Sequence, residues 1–188
     1  MPKNKSMRIT GGYLVRRRFL IPELIDENVV RPTPDRVREA VFSMIKPHLP
    51  GSTVLDLFAG SGAHGFESLS RGASKVTFIE KNSAIAAVIK KNIELLELAK
   101  SCTLVLGDAL HVVEKAQEKA DVVFVDPPYS VVLGTEFFDK LDEVVNDDGI
   151  VVFRCFKKEK LNITEKWKIE RDRIYGGTRV LILQKAQH

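Results

Sequence analysis

Cysteine is scarce: Cys102 and Cys155 are the only two in 188 residues, and each stands alone inside a β-like apolar run. Two isolated thiols cannot form a disulfide framework, and neither has the companions a zinc site needs. Both are read as buried structural thiols, and the missing framework points to the cytoplasm. The four histidines (His48, His64, His111, His188) share no metal spacing. Solvent-facing or incidental positions are expected for them, with His64 the one that could touch a ligand. No apolar run approaches the roughly 18 residues of a membrane span. The start Met1-Pro-Lys-Asn-Lys-Ser-Met7 is basic but leads into no apolar stretch, so no secretory signal is expected. Internal repeats and interdomain linkers are absent too.

What remains is an ordinary globular composition, 44% hydrophobic and 29% charged. The length suits one sheet domain burying about two thirds of the surface its unfolded chain exposes. Charge says more by placement than by total. Residues 1–18 carry six basic groups (Lys3, Lys5, Arg8, Arg16, Arg17, Arg18) and no acid. The other 170 residues hold 23 basic and 25 acidic groups, a net −2, so the excess of the +4 chain lies entirely at the N-terminus. Arg8-Ile-Thr-Gly-Gly-Tyr-Leu-Val15 alternates like a strand around a Gly-Gly turn. A basic β-hairpin arm over 1–32 is expected, touching phosphates through Arg8, Arg16, Arg17 and Arg18.

From residue 33 the pattern is that of a folded domain running to 188. Thr33 can cap a helix, with Pro34 in its first turn and Asp35 at the positive end of its dipole. Val37, Val41, Met44 and Ile45 form its apolar stripe. Strands are then expected over 53–57, 75–80, 102–106, 121–125 and 148–155, and helices over 62–71, 82–97, 108–118 and 135–145. Short, continuously apolar strands between amphipathic helices mean a parallel sheet covered on both faces. Right-handed crossovers make it doubly wound, with ligands at the carboxyl ends of the strands. Two further strand-like segments, 166–170 and 178–183, are joined through Tyr175-Gly-Gly177 with no helix between them. The fold class expected is α/β: a mostly parallel, seven-stranded, Rossmann-like sheet, an arrangement that resembles the class I methyltransferases. It finishes in a C-terminal antiparallel hairpin and carries the small N-terminal β-hairpin arm.

Gly60-Ser61-Gly62-Ala63-His64-Gly65 fits G-x-G-x-x-G between a strand and a helix, a fingerprint that dinucleotide folds share. Asp56 separates the cases. A carboxylate at the end of the first strand, aimed into the crevice, repels a pyrophosphate and attracts the cationic amino group of a methionine moiety. Glu80, at the second strand's end, can accept from two ribose hydroxyls, and Asp108, at the third, from an adenine amine or as a helix cap. The candidate cradle for S-adenosyl-L-methionine is Asp56, Phe58, Ala59, Gly60, Ser61 and Gly62, with Glu80, Lys81, Asp108 and Ala109.

Asp126-Pro127-Pro128-Tyr129 closes the fourth strand, 70 residues after Asp56. An exocyclic amine on a nucleobase is a weak nucleophile because its lone pair is delocalised into the ring. Acceptors that hold its hydrogens out of plane, here the Asp126 carboxylate and the Pro127 carbonyl, free that pair. The two prolines fix the corner's backbone, and Tyr129 can stack on the base. Asp126 would take up the charge developing on nitrogen.

With these segments in hand, the chain resembles the bacterial small-subunit rRNA guanine-N2 methyltransferases of the RsmD type. Arg8-Ile-Thr-Gly-Gly12, Arg31-Pro-Thr33, Asp35-Arg-Val-Arg-Glu39, Asp56-Leu-Phe-Ala-Gly-Ser-Gly62 and Glu67-Ser-Leu-Ser-Arg-Gly72 carry the resemblance. So do Phe78-Ile-Glu-Lys-Asn82, Phe124-Val-Asp-Pro-Pro-Tyr129 and Tyr175-Gly-Gly-Thr178. The Arg8 and Arg31 segments are the more specific; the central motifs occur in many amino-methyltransferases. The resemblance implies methylation of N2 of one guanine in 16S rRNA, within the small subunit or an assembly intermediate. Asp126 to Tyr129 would be catalytic, and Arg31, Thr33 and Arg36 would lie beside the active site. His64 departs from the family, standing where an apolar residue is usual, and the C-terminal Gly-Gly turn varies.

The rivals are a DNA adenine-N6 methyltransferase, a glutamine-amide methyltransferase and a non-catalytic RNA-binding protein with a relic cofactor site. The first usually carries a target-recognition insertion. Here the 63 residues between Gly62 and Asp126 are consumed by core elements. The second normally shows Asn at the Asp126 position. The third is hard to reconcile with acids kept at all three strand ends. A cytoplasmic monomer acting without metal or membrane is expected, on a guanine in a loop or flipped from its stack.

Overall fold

The computed structural model describes residues 5–22, 35–115, 118–128 and 131–186. Arg31, Thr33, Pro34 and Tyr129 lie outside them. The chain opens with an antiparallel ribbon, β1 (Ser6–Arg8) and β2 (Arg18–Leu20), then α1 (Asp35–Met44) and a 3-10 turn, Lys46–His48. The alternation follows: β3 (Thr53–Asp56), α2 (Ala63–Ser70), β4 (Lys75–Glu80), α3 (Ser83–Leu95), β5 (Cys102–Leu106), α4 (Ala109–Lys115) and β6 (Ala120–Val125). It ends with α5 (Thr135–Val144), β7 (Val145–Phe156), β8 (Trp167–Tyr175) and β9 (Thr178–Lys185).

Seven strands form one sheet in the order β5-β4-β3-β6-β7-β9-β8. β3 to β7 are parallel, and β9 pairs antiparallel with both β7 and β8. Successive side chains of a strand face opposite ways, and both faces here are apolar. Val122 and Phe124 enter a core with α1, α2 and α3, whereas Val123 and Val125 enter one with α4 and α5. The expected sheet is therefore present, with boundaries shifted by a few residues. β8 and β9 run longer than their apolar cores because they pair from Trp167–Lys185 to Tyr175–Thr178, with one bulge at Glu170.

The expected hairpin is present as the β1–β2 ribbon, but the stretch 8–15, expected to alternate as a strand around its Gly-Gly turn, leaves the ladder after Ile9 and is pinned to α2. Tyr13 N donates to Ser70 O at 2.8 Å and Leu14 N to Ser70 Oγ at 2.9 Å. Gly12, at φ +80, sits so close that a Cβ would stand 1.7 Å from Ser70 O. Met7, Ile9, Leu14 and Phe19 share the core of α1 to α3. Ile9 and Phe19, each 1% exposed, contribute roughly 1.5–3 kcal/mol apiece. The basic segment is thus docked on the sheet domain.

α1 also buries more than its apolar stripe. Arg38 is fully buried beside Val41 and Phe42. Its guanidinium reaches Arg8 O at 2.7 Å, Asp35 Oδ1 at 3.0 Å and Glu67 Oε2 at 3.4 Å. Glu67 in turn accepts from Thr10 and from Arg71 at 2.8 Å. A buried charge persists where it is paired, which is why a residue absent from the apolar pattern sits at the centre of the buried face.

Cys155 is buried, whereas Cys102 is only half-buried because β5 is an edge strand. Burial pushes both thiols up to about 12, so neither is a thiolate at neutral pH.

Candidate active site

The cradle is built by strand ends pinning a glycine turn. Glu80, closing β4, accepts from Gly60 N through Oε2 at 2.9 Å and from Asn82 N through Oε1 at 2.8 Å. Both oxygens keep lone pairs for a ligand. Gly62 opens α2 at φ +79, where a Cβ would also meet the Phe66 ring at 2.5 Å. Only glycine suits a position that is both left-handed and crowded. Asp108 Oδ1 accepts from Leu110 N at 3.0 Å and so caps α4, the role its sequence position allowed.

These elements line one cleft. Leu57, Phe58, Ile79, Ile85 and Ala109 supply apolar wall, and Ala59, Gly60 and Ser61 the glycine turn. Glu80, Lys81, Asn82 and Asp108 supply polar rim. At the other end stand His64, Asp126, Pro127, Pro128 and Arg154. The cleft thus gathers the cradle candidates except Gly62, which shapes the turn, and Asp56.

Asp56 was expected to aim its carboxylate into the crevice; the structure encloses it beneath the first turn of α2. It is fully buried, Oδ2 accepts from Gly65 N at 3.2 Å, and Oδ1 has no hydrogen-bond partner. Burial, only partly offset by His64, pushes its carboxyl up to about 6.

The other end hangs on Asp126. β6 is buried throughout Val122–Val125 and delivers the corner to the cleft. The corner is closed by Val131 N donating to Pro128 O at 2.9 Å. Asp126 Oδ1 accepts from Arg154 Nε at 2.6 Å, and Oδ2 lies 3.4 Å from His64 Nε2. Burial raises the Asp126 carboxyl, but the Arg154 guanidinium and His64 outweigh it, leaving it below the usual carboxylate range.

Sequence reasoning missed Arg154. Its signal is a lone arginine near the carboxyl end of the apolar run Ile150–Cys155, at the sheet edge where ligands bind. β6 and β7 are paired through Val125 and Phe153, so the next residues, Asp126 and Arg154, meet. His64 is not solvent-facing: it is 7% exposed, stacked on Phe124 at 4.8 Å, and lines the cleft, as its place in the glycine loop allowed. α2 is buried on every side, so its ring turns into the fold.

The basic candidates lie on the surface. Arg8 pairs with Asp35 at 2.9 Å, Arg17 donates to Leu95 O at 3.0 Å, and Arg18 to Ser6 Oγ at 2.9 Å. Arg16, at φ +71, and Arg36 on α1 are exposed. Among the described residues no cluster of three metal-ligating side chains occurs, and no helix is long and apolar enough to cross a membrane.

The donor set fits S-adenosylmethionine. The cleft offers apolar wall for a flat base and a pinned carboxylate for hydroxyls. At the glycine turn, the orphaned Asp56 oxygen gives negative potential for an ammonium group.

Comparison with known proteins agrees. The family described as Conserved hypothetical protein 95 matches residues 7–184. Ribosomal RNA small subunit methyltransferase D of Haemophilus influenzae is 34% identical over 176 residues, 91% of this chain and 90% of that protein. Its Escherichia coli K12 namesake is 31% identical over 183 residues, 96% and 90% of the two chains. The solved structure of Escherichia coli yhhF superposes with a TM-score of 0.85 at 28% identity, covering 98% of this chain and 100% of that one. The fold, the shared cleft and these matches over nearly the whole chain place the protein in the RsmD family of methyltransferases.

Proposed function

We propose that this protein transfers the methyl group of S-adenosylmethionine to the exocyclic N2 amine of a guanine in small-subunit (16S) rRNA. One observation carries the reading. The Asp126-Pro127-Pro128 corner and the cradle of Gly60, Glu80 and Asp108 line the same cleft, so an amine held by one faces a cofactor held by the other. The relatives named for small-subunit rRNA support the substrate class, and the resemblance of the Arg8 and Arg31 segments supports guanine.

Bound in the cradle, the cofactor supplies a methyl group already activated on a sulfonium. The chain's own work is placement and charge. Glu80 would hold ribose hydroxyls, Asp108 and Ala109 the base, and Asp56 the ammonium end through its field. Asp126 and the Pro127 carbonyl hold the amine's hydrogens. Asp126 meets the positive charge that grows on nitrogen and takes the proton the amine sheds. Arg154 keeps that carboxylate ionised and fixed. Pro128 stiffens the corner, and Tyr129 would stack on the base. Arg8, Arg16, Arg17, Arg18, Arg31, Thr33 and Arg36 would contact the RNA. The reading is completed by a monomer acting in the cytoplasm on ribosomal substrate.

Incubation with labelled cofactor and naked rRNA, isolated small subunits or duplex DNA tests the reading. N2-methylguanosine in the rRNA is the expected product by mass spectrometry. N6-methyladenine in the DNA, or no methylated nucleoside, overturns it.

A further inference from the structure

His64 stands at the amine end of the cleft and is used by neither the cradle nor the corner. It occupies the first turn of α2, with its ring stacked on Phe124 at 9° and 4.8 Å and tilted against Phe42 at 6.3 Å. Phe42 and Phe124 are themselves 5.7 Å apart, so the three rings form one cluster that seats the imidazole. Its polar contact is Nε2 to Asp126 Oδ2 at 3.4 Å, and Nδ1 is buried without a partner. An ionised carboxylate only accepts, so the proton belongs on Nε2. Nδ1 is then a bare lone pair in a neutral ring, whereas an imidazolium would bury an unpaired N–H.

The charged groups around it are few. Asp56 faces it from the end of β3 and acts on it electrostatically. Arg154, from β7, holds the opposite oxygen of Asp126. On α1 and α2, Arg38 and Glu67 are engaged with each other and with the hairpin.

We propose that His64 is a positioning residue for Asp126, steadying its Oδ2 edge as an Nε2–H donor. The inference rests on the reading of Asp126 as the amine's acceptor.

Two variants of the full chain and one spectroscopic signature test it. In ¹⁵N-histidine spectra of the wild type at about pH 8, His64 should show the Nε2–H tautomer. His64→Leu should lower kcat on small subunits about tenfold, the worth of one hydrogen bond, at unchanged cofactor affinity by calorimetry. His64→Gln keeps an amide N–H for Asp126 and should restore most of that loss. An Nδ1–H tautomer, or a His64→Gln variant no more active than His64→Leu, overturns the proposal. If the wild type methylates no RNA, the functional reading fails. The tautomer, and its loss of preference in Asp126→Asn, still decides whether the contact exists.

Discussion

The two ends of the cleft hold their carboxylates by different means. At the cofactor end, Glu80 and Asp108 are fixed by backbone N–H groups of the turns they adjoin: Gly60 and Asn82 for one, Leu110 for the other. At the amine end, Asp126 is fixed by two side chains from distant elements, Arg154 on β7 and His64 on α2. Backbone donors come with any sequence that forms the turn, so that end tolerates change around it. The amine end depends on two particular residues, and its acid is correspondingly easier to uncouple.

Four substitutions would break or sharpen this contrast. Asp126→Ala removes the acceptor itself, and kcat should fall by at least about 100-fold with cofactor affinity nearly unchanged by calorimetry. Retained turnover would remove Asp126 from the chemistry. Arg154→Ala leaves Asp126 in place but loses a charge-assisted hydrogen bond. About 10- to 100-fold in kcat should disappear, with Arg154→Lys recovering part of it. Glu80→Gln should act at the other end only, weakening cofactor binding about tenfold by setting an amide against a backbone N–H. An equal loss in kcat at saturating cofactor would erase the contrast between the ends.

Asp56→Asn is the mildest, and its effect depends on pH. The folded-state value of Asp56 is about 6 against an ordinary 3.8, so its ionisation opposes folding. Its stabilising contribution is whole below about pH 3.8 and is lost as the pH rises through about 6. Asn stays neutral, so thermal unfolding above pH 6 should shift upward by several degrees, at about 2–4 °C per kcal/mol. The gain should vanish toward pH 4, while cofactor affinity falls for want of the negative field. A destabilised variant at pH 8 would show that the carboxylate's charge is compensated in the fold.

A fifth expectation concerns the surface. Neutralising Arg16, Arg17 and Arg18 should flatten the salt dependence of RNA binding by up to about two to three units of slope and leave both ends of the cleft intact. An unchanged slope would leave these residues a merely solvated role.

Legibility followed the range of the interactions. The sheet strands, the glycine turn and the cap at Asp108 were readable because their causes lie within a few residues: apolar runs, a G-x-G-x-x-G, an acid before a helix. Arg154, the inward His64 and the buried Arg38 were not. Each is a polar residue whose burial makes sense only once a partner from elsewhere in the chain is in place. The hairpin was readable as a ribbon, but not its seating: its turn bonds to Ser70 and Glu67 of α2, partners that no local pattern announces.

By itself, then, the sequence determined the parallel sheet, the ligand edge and the positions of the acids at the strand ends. Those follow from side-chain periodicity and from turns that satisfy their own backbone. Only the tertiary structure decided where the Asp56 carboxylate lies, what steadies Asp126 and how the basic hairpin is seated. Those depend on charges and rings brought together across the fold, where burial makes each unpaired polar atom costly and each partner decisive.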